Sequence, residues 1–167
     1  MLKNRPQTLN RLPVMACVAV IASALVADAI SQAPPSPSPA RRAIDERKAI
    51  FTLIGANFRP LGEVLQGRAT LDASEVRKRA GRVAFLATLA SDAFGDVSNV
   101  GDPGTRAKPE IWSHRADFDK TLVDFVAHAQ ALSEVAAKQG SGSEEFKAAA
   151  GAVAQDCKSC HDNFRSK

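Results

Sequence analysis

The stretch Ser143–Phe164, SEEFKAAAGAVAQDCKSCHDNF, carries its apolar residues at helical spacing. Phe146, Ala150, Val153, Cys157, Cys160 and Phe164 follow at intervals of four, three, four, three and four, so they share one stripe of an α-helix that Ser143 caps. The same rhythm recurs three times further towards the N-terminus. Phe118, Leu122, Phe125, Ala129, Leu132 and Ala136 mark a helix that begins around Ile111–Ser113 and ends at Gly140-Ser141-Gly142. Val76, Ala80, Val83, Ala87, Ala90 and Phe94, widened by Leu86, mark another, with Asp72 as N-cap and Glu75 three residues on. Ile44, Phe51, Ile54, Phe58, Leu61 and Leu65 mark the first, over about residues 41–66, and Pro60 predicts a kink or break in it. Residues 95–109 are rich in Gly and Pro and read as a loop. No stretch alternates with period two. Four amphipathic helices with mostly short connections predict an all-α chain, an antiparallel four-helix bundle.

Residues 41–167 make up this bundle; what precedes them is of another kind. Lys3, Arg5 and Arg11 form a basic start, Val14 to Val26 is apolar or small, and Ala27-Asp28-Ala29 offers a small-x-small cleavage pattern. Residues 1–29 therefore read as an export signal cut after Ala29. The competing reading is an uncleaved N-terminal anchor, since Val14–Ile30 is just long enough to cross a bilayer. Residues 30–40 contain the tract Ala33-Pro34-Pro35-Ser36-Pro37-Ser38-Pro39, an extended linker that cannot build a core. The expected location is the periplasm, or its membrane face if the anchor is kept.

Charged residues make up 24% of the 167 and apolar ones 45%, as in an ordinary soluble domain. The net charge is +4 and falls to +2 once the leader is removed, too little to argue for nucleic acid. No pair of acid–base residues stands out as facing an open cavity, so the chain does not read as an enzyme.

Chemistry concentrates in Cys157-Lys158-Ser159-Cys160-His161. Two thiols one helical turn apart can reach the two vinyl groups of a haem, and the adjacent imidazole then points at the iron. Chance produces this pentapeptide in roughly one chain in a thousand of this length. Three rival readings exist. A disulfide between cysteines three apart on a helix would pin nothing together. A thioredoxin-like motif wants a strand before it and a helix opening at it. A zinc site would need His114 or His128 as a further ligand. One covalent haem c on Cys157 and Cys160, with His161 as axial ligand, is the expectation.

The opposite axial position is then the question. Both methionines, Met1 and Met15, lie in the leader, and the chain has no tyrosine. His114 and His128 fall off the apolar stripe of their helix and read as solvated. A five-coordinate, high-spin iron follows, with an apolar residue over its open face.

At this point the chain resembles cytochrome c′, the class II c-type cytochromes. The residues that carry the likeness are Cys157 to Arg165, Pro109-Glu110-Ile111-Trp112, and Arg47-Lys48-Ala49-Ile50-Phe51-Thr52-Leu53-Ile54. The resemblance implies that Phe51 caps the distal face, that Arg47 meets a haem propionate, and that Arg165 lies beside the proximal imidazole. Read as residues alone, Arg47 could equally be a surface salt-bridge partner of Asp45, and Arg165 an ordinary solvated charge. Low-spin members of the class carry a methionine in this first helix, where this chain has Phe51.

Such a pocket offers bound O₂ or an anion no hydrogen-bond donor, whereas NO needs none and CO little. The expectations are a binder of NO and CO with one-electron redox capacity, or an electron carrier, free or tethered to the membrane, serving an unidentified redox partner. The resemblance also implies proximal attack of NO with loss of His161, and homodimers packed through the first two helices. Ala69, Ala73, Ala80 and Ala84 are candidate small residues for that interface.

Overall fold

Ser38, Asp72 and Ser143 each turn a side-chain oxygen onto a free backbone amide, of Arg41 (3.1 Å), Glu75 (2.8 Å) and Phe146 (3.0 Å), and each starts a long helix. In the computed structural model, which describes residues 36–101, 104–139 and 141–167, the helices are α1 (Pro39–Leu65), α2 (Ala73–Ala90), the single turn α3 (Glu110–Ser113), α4 (Arg115–Gln139) and α5 (Glu144–Phe164). The export signal or anchor read over residues 1–29, and residues 30–35 of the linker, lie outside the described residues. Among the described residues no helix is long and apolar enough to cross a membrane. The linker reading ran two residues too far. Pro39 and Ala40 are helical, because proline is tolerated in a first turn, where its missing amide has no partner to lose.

Of the kink or break expected at Pro60, the break does not occur: the helix continues five residues beyond it. A proline inside a helix strips the carbonyl four residues earlier of its amide donor. Here that carbonyl belongs to Ala56, and the Arg79 guanidinium of α2 donates to it at 3.2 Å. Arg79 is itself held by Glu75 at 2.7 Å. The chain leaves α1 at Gly67, whose φ of +68° only glycine adopts without strain.

The four long helices form an antiparallel bundle: α2 packs on α1 and α4, and α4 on α5, while α1 and α5 meet more sparsely. One cluster of buried residues fills the end nearest the α4–α5 turn, with Val76, Val83, Leu132, Phe146 and Val153 at its centre. A second, around Phe94, Ile111, Phe118 and Phe164, closes the other end. Phe94 reaches it differently from the expected helical stripe. α2 stops at Ala90 and the chain tightens into 3₁₀ turns at Asp92–Phe94 and Asp96–Ser98, which still bury Phe94. The third helix is also divided. α3 ends at His114, whose φ of −118° and ψ of 50° turn the backbone before α4 begins.

No strand is present among the described residues, but an isolated antiparallel bridge joins Ala107 to Arg165. The amide of Lys108 donates to Phe164 O (3.0 Å), and its ammonium donates to the carbonyls of Asp162 (3.1 Å) and Asn163 (2.9 Å). The loop before α3 thus satisfies the free carbonyls that end α5. It fixes the part of the chain that carries the Cys-x-x-Cys-His motif.

Candidate haem-binding site

Where α1 and α5 stand apart, a cavity of about 680 Å³ opens between them. The size falls within the range of cofactor pockets. Phe51, Ile54 and Phe58 of α1 face it from one side; Cys157, Cys160 and His161 of α5 face it from the other, with Leu122 and Phe125 of α4 behind. Its walls are braced by aromatic rings in series. Phe51 meets Phe94 at 5.8 Å between centroids, Phe94 meets Phe118 at 4.7 Å, and Phe118 meets Phe164 at 5.1 Å, all edge to face. This ladder runs from the α1 wall to the last turn of α5 and holds the two helices at a fixed spacing.

The two cysteines stand one turn apart on α5, both free and both partly buried. Burial, followed by the neighbouring Asp156, pushes each thiol up to about 11. They are therefore protonated near neutrality. A thioredoxin-like dithiol needs the opposite shift, towards the thiolate. His161 moves the other way: partial burial, then the Arg165 and Arg106 guanidinium groups, hold its pKa below the ordinary value. The imidazole is neutral at pH 7 and has a lone pair available.

Neither of the other described histidines joins the site. His128 is exposed and its Nδ1 pairs with Asp156 Oδ2 at 2.8 Å, tying α4 to α5. His114 is exposed at the α3–α4 break, its Nδ1 against Ser113 Oγ. Among the described residues no three His, Cys, Asp or Glu side chains gather to hold a metal ion, which removes the support for a zinc site. The only imidazole in the cavity lining is that of His161.

Arg47 is not the surface partner of Asp45, which pairs with Arg41 instead. It is 4% exposed, and its guanidinium donates to Ser98 Oγ (3.0 Å) and Thr105 Oγ1 (2.7 Å) while lying 4.9 Å over the Phe94 ring. Burial lowers its pKa, and no carboxylate pairs with it among the described residues. A buried cation held only by neutral groups lacks the anion that would compensate its desolvation. Arg165 lies just past the end of α5, exposed, its amide on His161 O at 3.3 Å, and it too lines the cavity.

An apolar slot with protonated thiols and a neutral imidazole on one wall, and an uncompensated guanidinium at its edge, suits a flat apolar macrocycle with anionic side groups. Ser98, Thr105 and Arg106 were not legible as site residues in the sequence. The signal that could have found them is the length of the loop, since connections of this kind are usually functional.

The cytochrome c′ family model matches residues 42–165. The chain belongs to the cytochrome c′ family. It is 37% identical over 125 residues to cytochrome c′ of Rubrivivax gelatinosus, covering 75% of this chain and 95% of that protein. The solved structure of cytochrome c prime from Shewanella frigidimarina superposes with a TM-score of 0.72 at 32% identity, covering 79% of this chain and all of the other. The nitric oxide complex of a leucine-to-isoleucine variant of cytochrome c prime from Alcaligenes xylosoxidans gives 0.69 at 30%, covering 79% of this chain and 100% of that one. As a cytochrome c′, the protein is a periplasmic carrier of one covalent haem c, and not an enzyme.

Proposed function

We propose that Cys157 and Cys160 are the two thioether anchors, that His161 is the axial ligand, and that the opposite face of the haem is a gas pocket for NO and CO under Phe51. When bound, the haem supplies an iron that exchanges one electron and accepts a diatomic ligand. The chain's own residues supply the selectivity. Phe51, Ile54, Phe58, Leu122 and Phe125 present hydrocarbon to the space, with no methionine, tyrosine or second histidine among the lining residues. That wall is the observation that carries the reading, because it offers no hydrogen-bond donor to O₂ or to an anion. Phe51 is only partly buried, its ring edge-on to Phe94, so a ligand enters at the cost of displacing one ring. Arg47 is proposed as the counter-charge for a propionate, and Arg165 as a guard of the proximal imidazole. The NO complex of the Alcaligenes relative supports the assignment of the gas.

A second reading, electron transfer, is favoured by the exposure of His161, since a haem held there would lie close to the surface at the end of α5. Pairing of two copies through α1 and α2 fits Leu53 and Phe85, which are 50% and 65% exposed on one shallow groove. Ala80, a candidate for that interface in the sequence, is fully buried in the core and cannot serve it.

The deciding experiment is absorption and EPR spectroscopy of the ferric and ferrous protein, with and without NO. A high-spin ferric signal and a ferrous Soret band that shifts with NO support the open pocket. A low-spin spectrum unmoved by NO overturns it in favour of electron transfer.

A further inference from the structure

Four exposed cations, Lys48 and Arg59 of α1 with Arg106 and Arg165, line the mouth of the cavity. None of them is ion-paired among the described residues, whereas most exposed helix cations elsewhere are. Arg41, Arg115, Lys120, Lys147 and Lys158 each hold an acid three or four residues away. Among the described residues the one carboxylate in the cavity lining is that of Asp156, and His128 already engages it. With the buried Arg47 there are five positive groups around one opening. Two propionates and Asp156 would still leave two of them uncompensated. The mature chain with its haem is close to neutral as a whole, so this charge is local and not a property of the net balance.

A cluster of like charges around a low-dielectric opening focuses the field there. We infer that the cavity mouth is the docking face for an acidic redox protein, one that presents carboxylates around its own electron-transfer centre. The inference rests on the haem assignment, since only a cofactor in this cavity makes its mouth the electron port. Opposite charge draws the partner in and orients it, and rim charges of this kind act on the rate of encounter more than on the strength of the complex. Arg165 and His161 lie at that opening, where one electron per encounter would pass between the haem and the partner's centre, one being oxidised as the other is reduced.

The probe is hexacyanoferrate(III), an anionic oxidant that takes one electron from the ferrous protein and becomes hexacyanoferrate(II). Stopped-flow rates are measured across ionic strength for wild type, for Lys48→Glu/Arg59→Glu, and for Lys138→Glu/Lys147→Glu at the far end of the bundle. The two pairs change net charge equally, but Lys147 lies about 15 Å along α5 from Cys157. The expected result is a wild-type rate that falls with salt and drops roughly tenfold at low salt in the α1 variant, with little change in the far-end variant. Equal effects of the two variants, or a rate indifferent to salt, overturn the proposal. Circular dichroism and the Soret band show that each variant is folded and loaded. Absence of a Soret band in wild type would instead sink the haem assignment, a failure separate from that of the docking face.

Discussion

At the end of the bundle where α4 turns into α5, Ala80, Ala129, Ala150 and Val153 let the helices close on Leu132 and Phe146, and all six are fully buried. At the other end, Phe51, Phe94, Phe118 and Phe164 meet edge to face beside a cavity of about 680 Å³. Small residues draw helices together; rings in a ladder keep them apart at a set distance. Phe51, Ile54, Phe58, Leu122 and Phe125 line that cavity with hydrocarbon, and covering such a wall with an apolar group is favourable. One end is thus a finished core, and the other is a core whose last component is the cofactor.

Removing the anchors should break that contrast most severely. In Cys157→Ser/Cys160→Ser, no haem should remain with the polypeptide on a denaturing gel. The aromatic end should then loosen while the alanine-rich end persists. Amide hydrogen exchange checks this: protection should survive around Leu132 and Phe146 and largely vanish around Phe118 and Phe164. Equal protection at both ends would show that the ladder stands without its filling.

Two phenylalanines sharpen the same comparison. Phe146→Ala, in the finished core, should cost about 3–5 kcal/mol and leave the Soret band and NO binding in place. Phe51→Ala, on the half-buried wall, should cost only about 1 kcal/mol of stability. It should speed NO association roughly tenfold, a barrier change of about 1.4 kcal/mol, because no ring then has to move. Thermal melts and flash photolysis separate the two. A Phe51 variant with unchanged kinetics would remove this ring from the gas pathway.

Arg47 belongs to the open end and should behave oppositely with and without the cofactor. In the holoprotein, Arg47→Met removes a cation near the haem, which favours the ferric state and lowers the midpoint potential. It should also cost about 1–3 kcal/mol, as expected when one member of a buried polar set is lost. In the haem-free chain the same change should be neutral or stabilising, since it removes a buried charge that no acid among the described residues compensates. Potentiometry and denaturant melts of both forms test the reversal of sign.

The difference between the two ends also governs what was legible in the sequence. The finished core obeys helical periodicity, so Val76, Val83, Leu132, Phe146 and Val153 fell on their stripes without exception. The cysteine pair and His161 were legible as a candidate site because the attachment proposed for them demands a fixed local spacing. The haem end escaped where its geometry is not periodic. Phe94 continues the α2 stripe in sequence but sits on a 3₁₀ turn, and the break at His114 leaves no signature in the apolar pattern. The residues alone left Arg47 open between a site role and a surface ion pair, because its partners, Ser98 and Thr105, are 51 and 58 residues away. Contacts of that range depend on tertiary closure, which no local rule encodes.

Pro60 gives the smallest and most local test. Local rules predict a kink or break in α1, and the helix runs on because Arg79 supplies the donor that Ala56 O has lost. Arg79→Met should therefore cost about 1 kcal/mol, the usual net worth of a hydrogen bond at a partly exposed site. Pro60→Ala returns an amide to Ala56 O and makes the guanidinium redundant there. The loss on Arg79→Met should then shrink by about half in the Pro60→Ala background, the remainder being the ion pair with Glu75. Neither change should move the Soret band, since neither residue lines the cavity. Strict additivity in the cycle would mean that the α2 side chain does nothing for the proline, and that α1 is carried past it by packing on the finished core alone.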